Sequence, residues 1–243
     1  MKEFWKDWKK TNELEKGAIK AIKTAEKIIL KTLPKKKIIS IYVGGSFVRR
    51  DMNKWSDLDV WAITSDVKSL KTIKKLKKKY GEKHKPVIGF TGYTITELRR
   101  GRKSKQLPVM RTAPSRFTKN INRFRCIYGE DLDTKGFPVR EDKEDLGIMV
   151  KVFRSLFLPM YKEKKLGFDS IIKQVFWIGD LEFRIKKIAI PLSWRDMVKL
   201  TGKNHVLREA LRLRLSGTKD KKERLKFIVK IKRYLKEMEK LAK

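Results

Sequence analysis

Tyr42-Val43-Gly44-Gly45-Ser46-Phe47-Val48-Arg49-Arg50-Asp51-Met52-Asn53-Lys54-Trp55-Ser56-Asp57-Leu58-Asp59-Val60 sets an apolar strand, a glycine turn and a second strand in close succession. The first strand begins upstream with the β-branched run Ile38-Ile39-Ser40-Ile41 and stops at Gly44-Gly45, as a buried strand does where it enters a turn. Strand side chains alternate between faces, so Asp57 and Asp59 point one way while Leu58 and Val60 point into a core. Two neighbouring carboxylates repel each other unless a cation lies between them, and hard oxygen donors suit Mg²⁺ or Mn²⁺ bound together with substrate phosphates. Glycines at 44 and 45 permit close backbone approach, and the local amides with the Ser46 hydroxyl can hold phosphate oxygens.

Outward from this segment the pattern alternates between helix and strand. Leu14, Ala18, Ile22, Ala25 and Ile29 recur at helical spacing between Asn12 and Leu33, and Pro34 ends the helix. Leu58 to Ile63 reads as the partner strand, Val67 to Tyr80 as a lysine-rich helix, and Pro86 to Thr91 as a third strand. A short helix from about Thr96 leads into a basic, irregular stretch, Arg99 to Arg116, and Phe124 to Tyr128 is again strand-like. From about Lys143 helical periodicity dominates, broken at Pro159, Gly167, Pro191, Gly202 and Gly217. The boundary between the two halves falls near residues 133 to 142.

The chain has 243 residues, with 63 Lys and Arg against 28 Asp and Glu, a formal net charge of +35. Its 40% of hydrophobic residues argues against a disordered basic tail and for one or two packed cores. Such a charge attracts polyanions, although the lysines are spread along the whole chain instead of forming one block. Cys126 is the single cysteine, which excludes an intrachain disulfide and is expected to be a small buried strand residue. No run approaches a membrane span, and the first residues lack an apolar leader core, so the expectation is a cytoplasmic protein without membrane partners.

Gly45-Ser46 followed by Ser56-Asp57-Leu58-Asp59-Val60 resembles the signature of the DNA polymerase beta-like nucleotidyltransferase superfamily. The match is best with its short members that carry a helical C-terminal domain, such as aminoglycoside and minimal nucleotidyltransferases. It covers about residues 12 to 132 and includes Tyr128-Gly129-Glu130-Asp131-Leu132, similar to a Leu-Tyr-Gly-x-Asp stretch of such enzymes. The resemblance implies an α/β (α+β) fold, with a small mixed-sheet catalytic domain over residues 1–138 and an all-helical C-terminal bundle over 139–243. It implies transfer of NMP, with ATP among the donor NTPs, to an acceptor hydroxyl with release of pyrophosphate, both substrates meeting between the two halves. Asp57 and Asp59 would hold the Mg²⁺ or Mn²⁺, and Gly44, Gly45, Ser46, Arg49 and Ser56 would bind the nucleotide. The acceptor could be an RNA end, a protein hydroxyl or a small molecule.

One departure matters. Active relatives carry a third carboxylate on the third strand, whereas Gly89 falls at that position and the strand holds no acid. Some relatives take an acid from the C-terminal domain, which makes Asp180 or Glu182 the candidate general base. The alternative expectation is a catalytically impaired nucleotide- or nucleic-acid-binding protein of the same fold, and a third is a nucleic-acid-binding module in which the Asp pair is structural. Glu97 is read as a first-turn residue facing its helix dipole. Arg50 reads as a solvated charge, His84 and His205 as isolated, Trp61 as core packing, and Trp55 as a base-stacking or loop-covering ring.

Overall fold

The computed structural model of the protein describes residues 1–54, 56–106, 112–218 and 220–243. Trp55 and part of the basic stretch from Arg99 to Arg116, residues 107–111, lie outside the described residues. The chain divides into two compact units, Met1–Val139 and Arg140–Lys243.

In the first unit, α1 (Glu13–Thr32) opens with a capping box. The Asn12 side chain accepts from the Glu15 amide and Glu15 accepts from the Asn12 amide, both at 2.9 Å. Of the expected stripe Ala18, Ile22, Ala25 and Ile29 are buried, joined by Ala21, whereas Leu14 is exposed in the first turn. The chain continues through β1 (Ile38–Gly44), the single-turn α2 (Gly45–Val48), β2 (Leu58–Thr64), α3 (Val67–Lys79), β3 (Ile88–Thr94), α4 (Ile95–Arg100), α5 (Pro114–Lys119) and β4 (Arg125–Gly129). The four strands form one sheet in the order β3-β2-β1-β4. β1 runs antiparallel to β2 and β4, whereas β2 and β3 are parallel, so α3 is the crossover helix between them.

Alternation along the strands separates two apolar clusters. Ile41, Val43, Leu58, Val60, Ala62, Ile88 and Phe90 meet the apolar sides of α1 and α3. Tyr42, Ile63 and Tyr93 pack on the other face with Leu98, Phe117 and Cys126. Trp61 joins them, stacked on Tyr93 at 5.7 Å between ring centroids. The third strand runs to Thr94, further than its apolar run indicated, and Thr94 then caps α4 in a second capping box with Glu97. The expectation of an irregular chain up to Arg116 gives way at Pro114, whose fixed φ suits the first position of α5.

The second unit is helical: α6 (Asp142–Val152), a π-helical turn over Phe153–Phe157, α7 (Leu158–Lys162), α8 (Phe168–Ile185), α9 (Trp194–Lys199), α10 (Val206–Ser216) and α11 (Lys221–Leu241). α8 supplies the largest share of its core, including Ile171, Val175 and Phe176. Trp194 of α9 stacks on Phe176 at 4.5 Å, and Phe227 and Ile231 close the core from α11. Among the described residues no helix is long and apolar enough to cross a membrane.

Candidate active site

The site candidates gather where β1 hands over to α2. Gly44, the last residue of β1, pairs with Asp59 of β2. Gly45 follows with φ +74°, a conformation that side-chain-bearing residues seldom adopt. A Cβ there would stand 2.4 Å from Asp59 Oδ2, so the carboxylate occupies the space that glycine leaves empty. At Gly44 a Cβ would meet the Phe124 ring at 2.5 Å. The two glycines therefore serve different close approaches, one to a carboxylate and one to an aromatic ring.

Leu58 and Val60 are fully buried, whereas Asp59 is half-buried and Asp57 exposed. This is the alternation the sequence implied. The turn before the pair is closed by Ser56, whose hydroxyl accepts from the Asn53 amide at 3.0 Å and donates to Asn53 Oδ1 at 3.2 Å. Ser46 is buried in the first turn of α2. Arg49 follows that helix with its Nε 3.7 Å from Asp51 Oδ2, both side chains largely shielded from solvent.

Arg50 is exposed, as a solvated charge would be, but it is also firmly paired. It sits in the left-handed region at φ +57° and donates to both oxygens of Glu15, through Nε at 2.8 Å and Nη2 at 3.1 Å. Nη2 also reaches the Lys10 carbonyl at 2.7 Å, and the guanidinium lies 4.5 Å from the Trp8 ring centroid. Burial pushes the Glu15 carboxyl up, but the bonds from Arg50 and the Asn12 amide outweigh it and leave its pKa lowered. Phe47 of α2 is enclosed by Phe4, Trp5 and Trp8, so the first residues of the chain wrap the glycine turn. Sequence reasoning passed over this clamp, although three aromatic residues within a charged leader were its visible trace.

Gly89 lies beside Asp59 in the parallel ladder. A Cβ at 89 would stand 3.7 Å from Asp59 Oδ1 and 3.5 Å from the Leu58 carbonyl, both ordinary contact distances. The position next to the Asp pair thus has room for a side chain and carries none. Among the described residues no group of three or more His, Cys, Asp or Glu is arranged to hold a metal ion. Two hard carboxylates beside a glycine turn still match Mg²⁺, which takes one or two protein carboxylates and fills its remaining positions with water and phosphate oxygens.

Asp180 and Glu182 lie within the helical unit. Asp180 is buried and accepts from Arg184 Nε at 3.2 Å. Glu182, also buried, accepts from Tyr234 Oη at 2.6 Å and Lys186 Nζ at 2.5 Å, with His205 Nε2 at 3.2 Å. Burial pushes its carboxyl up, yet bonds from His205, Lys186 and Tyr234 prevail and hold it at about 2. His205 is not isolated: its Nδ1 accepts from the Leu207 amide at 3.3 Å, capping α10, and that leaves Nε2 to donate to Glu182.

This mixed sheet, with its glycine turn facing an Asp-x-Asp strand, defines the class of protein. Residues 22–107 match the family described as nucleotidyltransferase domain. A solved structure with the same fold is that of a spectinomycin adenyltransferase from Enterococcus faecialis with ATP and spectinomycin. The likeness has a TM-score of 0.54 at 15% identity, over 92% of this chain and 98% of that one, and it speaks to the fold. No curated protein matches this sequence.

Proposed function

We propose that this protein is a metal-dependent nucleotidyltransferase, moving NMP from an NTP to an acceptor hydroxyl with release of pyrophosphate. The observation that carries this reading is the packing of Asp59 Oδ2 against the Gly45 backbone, which sets a carboxylate against the glycine turn. In this reading the backbone amides of Gly44, Gly45 and Ser46, with the Ser46 hydroxyl, donate to the β- and γ-phosphate oxygens. Arg49 adds positive charge on the same turn, and Ser56 holds the loop that presents the acid pair. Asp57 and Asp59 would hold the Mg²⁺ or Mn²⁺, whose chemistry there is to neutralise phosphate charge and favour in-line displacement at the α-phosphorus. The acceptor oxygen forms a bond to that phosphorus as the bond to the pyrophosphate oxygen breaks, and the chain contributes positioning and charge. A carboxylate held near pKa 2 is a weak base at neutral pH, so the environment of Glu182 counts against it as general base.

Gly89 favours a second reading, a protein of the same fold that binds nucleotide or nucleic acid and turns over slowly or not at all. Calorimetry of ATP binding with and without Mg²⁺, on wild type and Asp57→Asn/Asp59→Asn, tests the shared part of both. Mg²⁺-dependent binding lost in the double variant supports the site; equal or absent binding in both proteins overturns it. Pyrophosphate release with any acceptor then decides for turnover and against the second reading.

A further inference from the structure

α3 differs from every other long helix of the chain in carrying no acidic residue between Val67 and Lys79. Its buried side is Ser69, Leu70, Ile73 and Leu76, which face the sheet. Lys68, Lys71, Lys75, Lys78 and Lys79 are all exposed. At 100° per residue these five fall within one arc opposite the buried side, and at 1.5 Å per residue they form a stripe about 16 Å long. None of the five forms an ion pair with a carboxylate among the described residues. Some exposed cations on other elements are paired with a carboxylate, as Lys16 is with Glu13, Lys23 with Glu3, Arg212 with Glu223, and Lys230 with Glu209.

The stripe continues beyond both ends of the helix. Exposed Lys35 and Lys36 adjoin Lys37, which pairs with Asp66, the N-cap of α3, at 3.0 Å. At the other end come exposed Lys83 and Lys85, with Glu82 the sole acid between Val67 and Val87. This second end lies close to the acid pair, because Val87 accepts from the Leu58 amide at 2.9 Å, one residue from Asp57 and Asp59. A line of like charges one turn apart repels itself, and a linear array of phosphates relieves that repulsion while releasing its own counterions.

We propose that the outer face of α3 docks the phosphodiester backbone of a nucleic-acid strand. Resting on the transferase reading above, this assigns the acceptor to that class, with the strand led along α3 toward the end of the sheet that carries Asp57 and Asp59. Lysine ammonium groups read phosphate charge and not sugar or base, so RNA and DNA strands of equal length bind alike through this face.

The test is fluorescence anisotropy of the full chain with labelled oligo(U) and oligo(dT) strands of about 20 nucleotides, titrated across about 50 to 200 mM salt. Lys68→Gln/Lys71→Gln/Lys75→Gln/Lys78→Gln is compared with Lys222→Gln/Lys226→Gln/Lys232→Gln/Lys236→Gln on α11, which removes the same charge from another exposed face. The α3 variant is expected to lose at least tenfold in affinity, with the slope of log affinity against log salt shallower by about 3, from about 0.7 per contact on single strands. The α11 variant should lose less than about threefold. Equal losses in both variants, no loss in either, or tighter binding to phosphatidylserine vesicles than to either strand would overturn the proposal. Mg²⁺-dependent ATP binding by the α3 variant should stay at the wild-type level. If wild type fails to bind ATP while the α3 variant alone loses the strand, the transferase reading falls and the docking face stands.

Discussion

Arg50 grips both carboxylate oxygens of Glu15 across 35 residues of sequence, tying the loop after the glycine turn to the first turn of α1. Arg50→Ala would leave a buried carboxylate with its backbone partner alone, at a cost of about 1–3 kcal/mol in urea unfolding. Arg50→Lys should recover less than half of that loss, because a point charge cannot supply the two-armed bond. Full recovery by lysine would show that charge, and not the fork, is what holds the loop.

Gly45→Ala and Gly89→Ala make a matched pair of substitutions around Asp59. The first puts a methyl into the space of Asp59 Oδ2 and forces it to adopt φ +74°, whereas the second meets ordinary contact distances. Gly45→Ala should lower stability by about 1–3 kcal/mol and abolish Mg²⁺-dependent ATP binding, while Gly89→Ala changes stability by less than about 1 kcal/mol. Equal effects at the two positions would contradict the close approach as the reason for glycine at 45.

Gly89→Asp restores an acid beside the pair. Three carboxylates in one place repel, so Tm without divalent metal should fall by about 2–4 °C and rise further on adding Mg²⁺ than the wild-type Tm does. Differential scanning fluorimetry with and without Mg²⁺ reads this directly. An unchanged metal response would mean that position 89 does not border the metal-binding space.

Glu182 makes the helical unit sensitive to acid. Its folded pKa of about 2 lies below the ordinary value of 4.5, so its stabilisation is complete above pH 4.5 and is lost as the pH falls toward 2. The shift corresponds to a contribution on the order of 3 kcal/mol. Unfolding of wild type and Glu182→Gln, followed by urea at about pH 6 and about pH 3, should show a wild-type advantage that shrinks at the lower pH. An advantage independent of pH would assign the effect of Glu182 to packing.

The turn and the acid pair were legible because each rests on a local signal. Apolar β-branched runs stop at Gly44-Gly45, and period-two alternation fixes the direction of Asp59 whatever the rest of the chain does. α1 was equally plain, since its apolar stripe and the break at Pro34 need no distant partner. The pairing of Arg50 went unread because it depends on Glu15 and Lys10, residues that become neighbours only after β1 pairs and α2 turns. Likewise, nothing in the spacing of Glu182, His205 and Tyr234 says that three helices bring them within hydrogen-bonding reach. α5 was passed over for another reason: six residues give too little periodicity to detect, and Pro114 signals a helix start as readily as a break.

The contact between Gly45 and Asp59 also limits how this protein can change by descent. A side chain gained at 45 needs the very volume that the carboxylate at 59 fills, so the two positions cannot drift separately. A lineage that abandons the acid gains space at 45 but still meets the strain of φ +74°, whereas one that fills the turn first loses the acid's place. A side chain at residue 45 is therefore a marker, readable from sequence alone, that a descendant of this chain has displaced its acid.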